Sequence, residues 1–277
     1  KVELGGKVKT LEGPVFFKCS NLKEVVIGEN VTKLDGPVFA GCIGITKLEI
    51  PISLDSVGYN SKYDYGSYNY QKTAFGGDTN ITEITFTKGT GEGYSYESYS
   101  GYTPWYNSKA NTIKVIIGEG IESIGKDMFI ECTGLTTLIL PITIKTIKDS
   151  AFYKCSNIES EIDLSNITSI GTSAFYNCQK MKGNWNLSTE LTEIPNQAFY
   201  NCSARRGDIN LENITLIGES AFYNCSNLTG TIKINNLEML YNWTFYQCTS
   251  IEKVELGGKV KTLEGPVFFK CSNLKEV

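Results

Sequence analysis

Apolar residues recur along the chain in one fixed frame. Val25 and Ile27 are separated by one residue, and this spacing of two predicts a short β-strand with one face turned inward. Two copies of the frame are Cys19, Leu22, Val25, Ile27, Val31, Leu34, Phe39 and Cys132, Leu135, Leu138, Leu140, Ile144, Ile147, Phe152. Each copy therefore predicts one strand and one ring of buried side chains.

The cysteines set the length of one copy. They stand at positions 19, 42, 132, 155, 178, 202, 225, 248 and 271, so every gap except one is 23 or 24 residues. Each follows a phenylalanine by three residues, and in the long gap Phe75 leads to Asp78 and Trp105 to Ser108. The nine copies with cysteine and these two give eleven coils. A constant step of this length predicts a solenoid, because disulfide frameworks and zinc sites do not space cysteines evenly.

The fold class follows from stacking such coils. One coil cannot bury its apolar ring alone, so neighbouring coils join their strands into a parallel sheet. Opposite the strand, the stretch from Ile170 through Gly171 and Ala174 to Phe175 is interpreted as a short helical turn whose phenylalanine fills the core. The prediction is an α/β repeat solenoid of about eleven coils of 23 residues, with a parallel sheet on one face and short helical turns opposite, forming a single domain over residues 1–277.

The repeated motif resembles that of a known family. The run Cys-x-x-Leu-x-x-Leu-x-Ile-Pro-x-x-Ile-x-x-Ile-x-x-x-Ala-Phe-x-x-Cys is similar to the BspA-like, or Treponema-type, leucine-rich repeat, and Cys42–Pro51 and Cys132–Cys155 carry it best. The resemblance covers the whole chain and implies a leucine-rich repeat solenoid. It also implies a bacterial or protist surface protein or adhesin without catalytic activity. We therefore expect a non-enzymatic binding or adhesion module at the cell surface or outside the cell.

The cysteine ladder has two interpretations. Cysteines one coil apart lie within range of a metal or redox role. We favour the structural alternative, in which each is a small buried hydrophobe whose thiol satisfies the turn. Asp78 and Ser108 at the same place indicate that the position favours a small hydrogen-bonding group.

Two tyrosine-rich insertions, at 58–71 and 89–106, are the predicted partner-binding site. Tyrosine with Ser, Gly and Asn is the composition of antibody paratopes, and solenoid insertions cluster on one face. The expected partner is a protein or glycan on a host or neighbouring cell surface, and the alternative is peripheral loops without a ligand. Trp105 is assigned to the core instead. The candidate binding residues are Tyr59, Tyr63, Tyr65, Tyr68, Tyr70, Tyr94, Tyr96, Tyr99, Tyr102 and Tyr106.

Residues 1–25 recur unchanged at 253–277, although all other pairs of coils have diverged. Three explanations are open. The chain is a piece of a longer repeat array, which we favour. Alternatively, the matching end coils join copies head to tail into a rod or filament, or the identity is an artefact of sequence assembly.

Composition narrows the function further. The chain has 26 basic and 30 acidic side chains, a net charge of −4 and no histidine. No basic stripe attracts nucleic acid, and no apolar run is long enough to insert in a membrane. Without histidine the Ser-His and Cys-His nucleophile pairs are excluded. We therefore predict no enzyme, no cofactor and no metal site.

Later coils differ from earlier ones by an inserted glycine, at Gly183, Gly207 and Gly230. The sequence assigns no function to this change. Beside it, outward strand positions from Glu161 to Asn210 are acidic or amide-bearing. This stripe has the groups that bind calcium or carbohydrate hydroxyls, although an ordinary solvated sheet face is the favoured interpretation.

Overall fold

A computed structural model of the chain describes residues 1–52, 54, 56–58, 74–78, 80–87 and 105–277. These residues form a parallel β-solenoid of the leucine-rich repeat type with about ten turns. The predicted count of eleven coils is not confirmed. The chain divides into two compact units, one of residues 1–121 with 132–141 and the other of residues 122–131 with 142–277.

Short strands account for nearly all the regular secondary structure. In chain order they are β1 (Val2–Leu4), β2 (Thr10–Glu12), β3 (Glu24–Ile27), β4 (Lys33–Asp35), β5 (Lys47–Pro51), β6 (Ser56–Gly58), β7 (Glu83–Thr87), β8 (Lys114–Ile117), β9 (Ser123–Ile124), β10 (Thr137–Ile139), β11 (Thr146–Ile147), β12 (Ser169–Ile170), β13 (Asn184–Trp185), β14 (Glu193–Ile194), β15 (Arg206–Ile209), β16 (Leu216–Ile217), β17 (Gly230–Ile234), β18 (Met239–Leu240), β19 (Ile251–Leu256) and β20 (Thr262–Leu263). A 3₁₀-helix spans Tyr106–Ser108.

The first unit contains two parallel sheets. The larger has the order β1-β3-β5-β7-β8-β10, and the smaller has the order β2-β4-β6. In the larger sheet the register places Val25 beside Leu48, Leu48 beside Ile84, and Ile84 beside Val115. All four side chains are buried. The predicted inward face of the strand is therefore confirmed in this unit.

The second unit repeats this arrangement in shorter pieces. Its sheets have the orders β9-β11-β12, β13-β15, β14-β16, β17-β19 and β18-β20, and every pairing is parallel. The register shifts between Asn184 and Trp185 and again between Gly230 and Thr231. These shifts fall in the coils that carry the inserted glycine.

A stack of phenylalanine rings fills the core of each unit. In the first unit Phe39 lies between Phe16 and Phe75, with ring centroids 5.0 and 5.1 Å apart. In the second unit the spacing is 5.3–5.7 Å through Phe129, Phe152, Phe175, Phe199, Phe222, Phe245 and Phe268. Trp105 is fully buried edge-on against Phe86, which confirms its assignment to the core.

The predicted short helical turns are not confirmed, because helix in the part of the chain that the structure describes is confined to the 3₁₀-helix at Tyr106–Ser108. Around Phe152 the backbone alternates instead. The amides of Ser150, Phe152 and Lys154 donate to carbonyls of the next coil at 2.6–2.9 Å, while the intervening amides donate to carbonyls three residues back. Ser150 and Lys154 have left-handed φ values of 51° and 59°, so no helix propagates through them. Hydrogen bonding between coils thus replaces hydrogen bonding along a helix.

Within the described ranges, no helix has the length and apolar character needed to cross a membrane.

Candidate functional site

The predicted tyrosine site lies almost wholly outside the described residues. Tyr59, Tyr63, Tyr65, Tyr68, Tyr70, Tyr94, Tyr96, Tyr99 and Tyr102 are not among them, and Tyr106 is described only through its backbone, at the start of the 3₁₀-helix. The role of these residues in partner binding stays a prediction.

The cysteines are structural donors in the described part of the chain. The thiol of Cys42 donates to the carbonyl of Phe16 at 2.9 Å, and the thiols of Cys155 and Cys178 make the same contact with the carbonyls of Phe129 and Phe152 at 2.9 and 3.1 Å. All nine are free and all except Cys19 are buried. Burial raises the pKa of Cys202 to about 12. A buried neutral thiol is a poor nucleophile and metal ligand, so the structural interpretation is favoured.

The two non-cysteine residues of this ladder behave differently. The hydroxyl of Ser108 donates to the carbonyl of Asp78 at 2.6 Å, whereas the thiols donate to the carbonyl of a core phenylalanine. Both carboxyl oxygens of Asp78 are buried and have no hydrogen-bond partner among the described residues. Burial raises the pKa of Asp78 to about 8, and the nearby amides of Cys42 and Gly41 offset only part of this rise. Burial therefore favours the protonated, neutral form of Asp78 in the folded protein.

A polar cleft of about 440 Å³ opens on the strand face of the second unit, over the stripe that the sequence indicates. Its floor includes the buried residues Trp185 and Ile209. The polar side chains that line it are Asn186, Asp208, Asn210, Glu212, Thr231 and Lys233. Its volume lies in the range of small-ligand sites in proteins, about 300–1,000 Å³.

The inserted glycines shape the strands under this polar cleft. Gly183, Gly207 and Gly230 have φ values of +118°, +90° and +75°, which a side chain disfavours. A Cβ on Gly230 would also collide with the carboxylate of Asp208. The positive φ angles and the register shifts together make bulges, and bulges in sheets re-aim the side chains beside them.

A buried arginine supports the same bulge from inside. Arg205 stands three residues after Cys202, where other coils carry an apolar residue such as Met181. Its guanidinium donates to the carbonyls of Ile162 at 2.9 Å and Lys182 at 3.2 Å, and also to that of Asn184.

The charged guanidinium of Arg205 is buried beside an aromatic ring. Arg205 is fully buried, and its guanidinium lies 5.1 Å from the centre of the Trp185 ring. Burial lowers its pKa to about 10, so it keeps its charge at neutral pH. Gly183 makes room for it, since a Cβ there would lie 3.2 Å from the guanidinium. The sequence did contain a signal for this arginine, because Arg205 is a charged residue at a repeat position that is apolar in other coils.

Local hydrogen bonds hold two of the polar side chains of the cleft. Asn210 accepts a hydrogen bond from the amide of Glu212 at 2.8 Å, and the hydroxyl of Thr229 donates to Asp208 at 3.0 Å. These contacts hold Asn210 and Asp208 in the lining of the cleft. Among the described residues, no group of three or more Cys, Asp or Glu side chains is placed to hold a metal ion. The calcium alternative for this stripe has no support there.

A second surface feature was missed from the sequence. Tyrosines directly after the core phenylalanines form a half-exposed row in which neighbouring ring centroids are 4.4–4.8 Å apart. Its members are Tyr153, Tyr176, Tyr200, Tyr223 and Tyr246. Burial, together with its two tyrosine neighbours, raises the pKa of Tyr200 to about 12. Because the rings cover one another's faces, the row presents ring edges, and it is a weaker candidate site than the polar cleft.

Solved structures of other leucine-rich repeat proteins are similar to this chain. One from Eubacterium ventriosum is 17% identical with a TM-score of 0.50, covering 100% of this chain and 65% of that one. One from Bacteroides ovatus is 20% identical with a TM-score of 0.45, covering 97% and 81%. A leucine rich cell surface protein from Faecalibacterium prausnitzii is 17% identical with a TM-score of 0.39, covering 97% and 82%. At such identities the likeness concerns the fold alone.

Sequence comparison is more specific. No protein with a curated functional description matches the chain. The family described as BspA type leucine rich repeat region (6 copies) matches residues 1–69, 64–182, 100–210 and 192–277, which together span the whole length. With the solenoid and the phenylalanine and cysteine ladders described above, this match shows that the chain belongs to the BspA-type leucine-rich repeat family.

Proposed function

We propose that this chain is a non-enzymatic binding module, at the cell surface or outside the cell, that holds a glycan in the polar cleft. Leucine-rich repeat proteins are generally non-enzymatic binding modules, and the proposed location rests on membership of the BspA-type family. The ligand class is inferred from the lining of the cleft, which consists of amide, carboxylate and hydroxyl groups. Arg205 holds the strands beneath this lining in place.

The lining also favours one kind of glycan. Asp208 and Glu212 place two carboxylates in the polar cleft against the single ammonium of Lys233. An anionic sugar is repelled by this balance. A neutral oligosaccharide instead offers hydroxyls that donate to the carboxylates and accept from Lys233 and the amides. We therefore propose neutral oligosaccharides as the ligand class.

The tyrosine-rich insertions at 58–71 and 89–106 are proposed as a further contact with a protein or glycan on a host or neighbouring cell. Their composition supports this proposal, since tyrosine supplies rigid amphipathic area and Ser, Gly and Asn supply adaptable hydrogen bonds. Deletion of either insertion is expected to weaken binding to whole cells while leaving binding of a short oligosaccharide unchanged.

The experiment that tests the cleft is a binding panel of immobilised neutral and acidic oligosaccharides and of extracellular matrix proteins. The parent chain is compared with Asn186→Ala/Asn210→Ala and with Thr85→Ala, a control at the strand position that corresponds to Asn210 in another coil. We expect neutral glycans to be captured by the parent and the control but not by the double variant. Capture of matrix proteins alone, unaffected by the double variant, contradicts the proposal.

A second candidate function, a subunit of a rod or filament, is favoured by one observation. The same 25-residue sequence exposes different side chains in its two positions. Val15 is 51% exposed and its counterpart Val267 only 3%, whereas Leu11 is 7% exposed and its counterpart Leu263 is 45%. The two copies of the segment thus bury complementary faces of the same sequence. Light scattering of the full chain over a wide concentration range tests this function, which predicts a mass that grows with concentration.

A further inference from the structure

The polar cleft occupies the three consecutive coils that carry the inserted glycine. In each of them the glycine is followed by a polar residue, a buried apolar residue, a second polar residue and a second apolar residue, at 183–187, 207–211 and 230–234. The corresponding stretches of the coils before and after, at 160–164 and 251–256, contain no glycine. The cleft therefore extends over the same coils as the glycines do.

The polar residues of these coils form two rows that cross the strands. The row that follows the buried strand residue consists of Asn186, Asn210 and Lys233, and all three are exposed. The row that precedes it includes Asp208 and Thr231. The register places Asn210 beside Lys233, so the members of a row belong to neighbouring coils. Each coil thus presents its own hydrogen-bonding side chains to the cleft.

The row of Asn186, Asn210 and Lys233 ends at a carboxylate on either side. The coil before has Asp163 at the position of Asn186, and the register places Glu255 of the coil after beside Lys233. Both carboxylates are exposed, and neither is among the residues that line the cleft. Amide and ammonium groups therefore follow one another over three coils, which sets the length of the site.

The distance between coils sets the repeat of these rows. In the three coils the core rings of Phe175, Phe199 and Phe222 are 5.6 and 5.7 Å apart, and paired parallel strands lie about 4.8 Å apart. One sugar of an extended glycan chain has a similar length. Along a single strand the outward positions recur only every second residue, about 6.6 Å, which is longer than one sugar. The repeat of the cleft therefore matches a glycan that lies across the strands.

From this repeat we infer that the polar cleft binds an extended neutral glycan of the cellulose type along the solenoid axis, with one sugar over each of three coils. The inference rests on the proposed function and names the linkage and the length of its ligand. In a cellulose-type chain both bonds to the neighbouring sugars are equatorial, so the chain is extended. A starch-type chain has an axial bond at each sugar, which bends it into a helix and away from a straight row.

The side chains of each coil suit sugar hydroxyls. Asn186 contacts the first sugar, Asp208 and Asn210 the second, and Thr231 and Lys233 the third. A carboxylate only accepts hydrogen bonds, an ammonium only donates them, and amides and hydroxyls do both. A sugar hydroxyl both donates and accepts, so the same kind of group on the ligand can bond to every one of these side chains.

Isothermal titration calorimetry of the full chain with cellobiose, cellotriose and cellotetraose tests the length of the site. Affinity is expected to rise about threefold to tenfold from two to three sugars, as one more hydrogen-bonded sugar would give, and to rise by less than about twofold from three to four. Maltotriose is the matched ligand with the starch-type linkage and is expected to bind at least about threefold more weakly than cellotriose. Chitobiose and chitotriose, run in parallel, distinguish an acetamido sugar from glucose, and the same rise with length in either series supports the inference.

Two variants test the placement of one sugar over each coil. Asn186→Ala removes the side chain that the first coil presents to the cleft, and this variant is expected to bind three sugars no more tightly than two. Glu255→Ala changes the same row just outside the cleft and is the matched control, expected to keep the gain from the third sugar. Circular dichroism of both variants checks that they are folded.

The contrary outcomes separate this inference from the proposed function. Equal affinities for cellotriose and maltotriose, an affinity that keeps rising beyond three sugars, or an undiminished gain from the third sugar in Asn186→Ala overturns the arrangement along the axis and leaves the glycan function standing. If none of these oligosaccharides binds at millimolar concentration, the inference and the proposed function both fail.

Discussion

The protonation of Asp78 gives the stability of the fold a specific dependence on pH. In the folded chain the carboxyl is buried and has no hydrogen-bond partner within the described ranges, and burial raises its pKa from 3.8 to about 8. The folded state therefore holds a proton that the unfolded state releases above pH 4. The stability that this proton contributes is fully present when the pH is below the pKa of the carboxyl in the unfolded chain. It is lost as the pH rises towards the pKa of the carboxyl in the folded chain.

The size of the effect follows from the two pKa values. Each unit of difference corresponds to about 1.4 kcal/mol, so a rise of roughly four units sets an upper limit of about 6 kcal/mol. Hydration of the ionised carboxyl reduces this limit, because a charged group draws water towards it. We expect the free energy of unfolding to fall by a few kcal/mol between pH 5 and pH 8.5 through this residue alone.

The assay is urea unfolding of the parent, Asp78→Asn and Asp78→Ser between pH 5 and 8.5. Asparagine keeps the shape of the side chain without the charge, and serine is the residue that the next coil uses at Ser108. Both variants are expected to match the parent near pH 5 to within about 1 kcal/mol and to exceed it by a few kcal/mol at pH 8.5. A difference between parent and variants that is constant over this range refutes the reasoning.

Three further predictions concern the buried features of the second unit and the thiols. Arg205→Leu leaves the carbonyls of Ile162, Lys182 and Asn184 without their donor and is expected to lower the free energy of unfolding by about 3 kcal/mol in urea. Gly230→Ala brings a Cβ against Asp208 at a positive φ and is expected to destabilise by about 1–3 kcal/mol and to weaken glycan capture, with unchanged capture as the contrary result. Titration of the native chain with a thiol reagent is expected to modify Cys19 and spare the eight buried cysteines until urea is added; rapid labelling of all nine contradicts the buried ladder.

Most of the fold could be predicted from the repeat period. Strand positions such as Val25 and Leu48 are fixed by alternation, and the phenylalanine stack follows from a ring that returns once per coil, so both were predictable. The turns were not. Residues around Phe152 fit a helical turn locally, but the hydrogen bonds that replace it are made to the next coil and form only when coils stack.

The candidate site was only partly predictable for a similar reason. Outward strand positions located the acidic and amide stripe, because alternation says which side chains face away from the core. The cleft itself depends on bulges at Gly183, Gly207 and Gly230 and on a guanidinium that enters the core from a leucine position. The bulges and the hydrogen bonds of the guanidinium are contacts between coils. The sequence of one coil does not say which groups of the neighbouring coil it will contact. The row of tyrosines could have been predicted, because a tyrosine directly follows the core phenylalanine in successive coils. The cysteine period was the more regular pattern and was interpreted first.

Nuclear magnetic resonance of the labelled chain tests the glycan site most directly. Neutral tetrasaccharides of glucose and of mannose are titrated into the protein while backbone amide signals and the side-chain amide signals of Asn186 and Asn210 are followed. Binding in the polar cleft predicts saturable shifts confined to residues 184–187, 208–212 and 231–233, and their loss in Asn186→Ala/Asn210→Ala. Saturable shifts elsewhere, or none with either sugar at millimolar concentration, contradict the polar cleft as a glycan site.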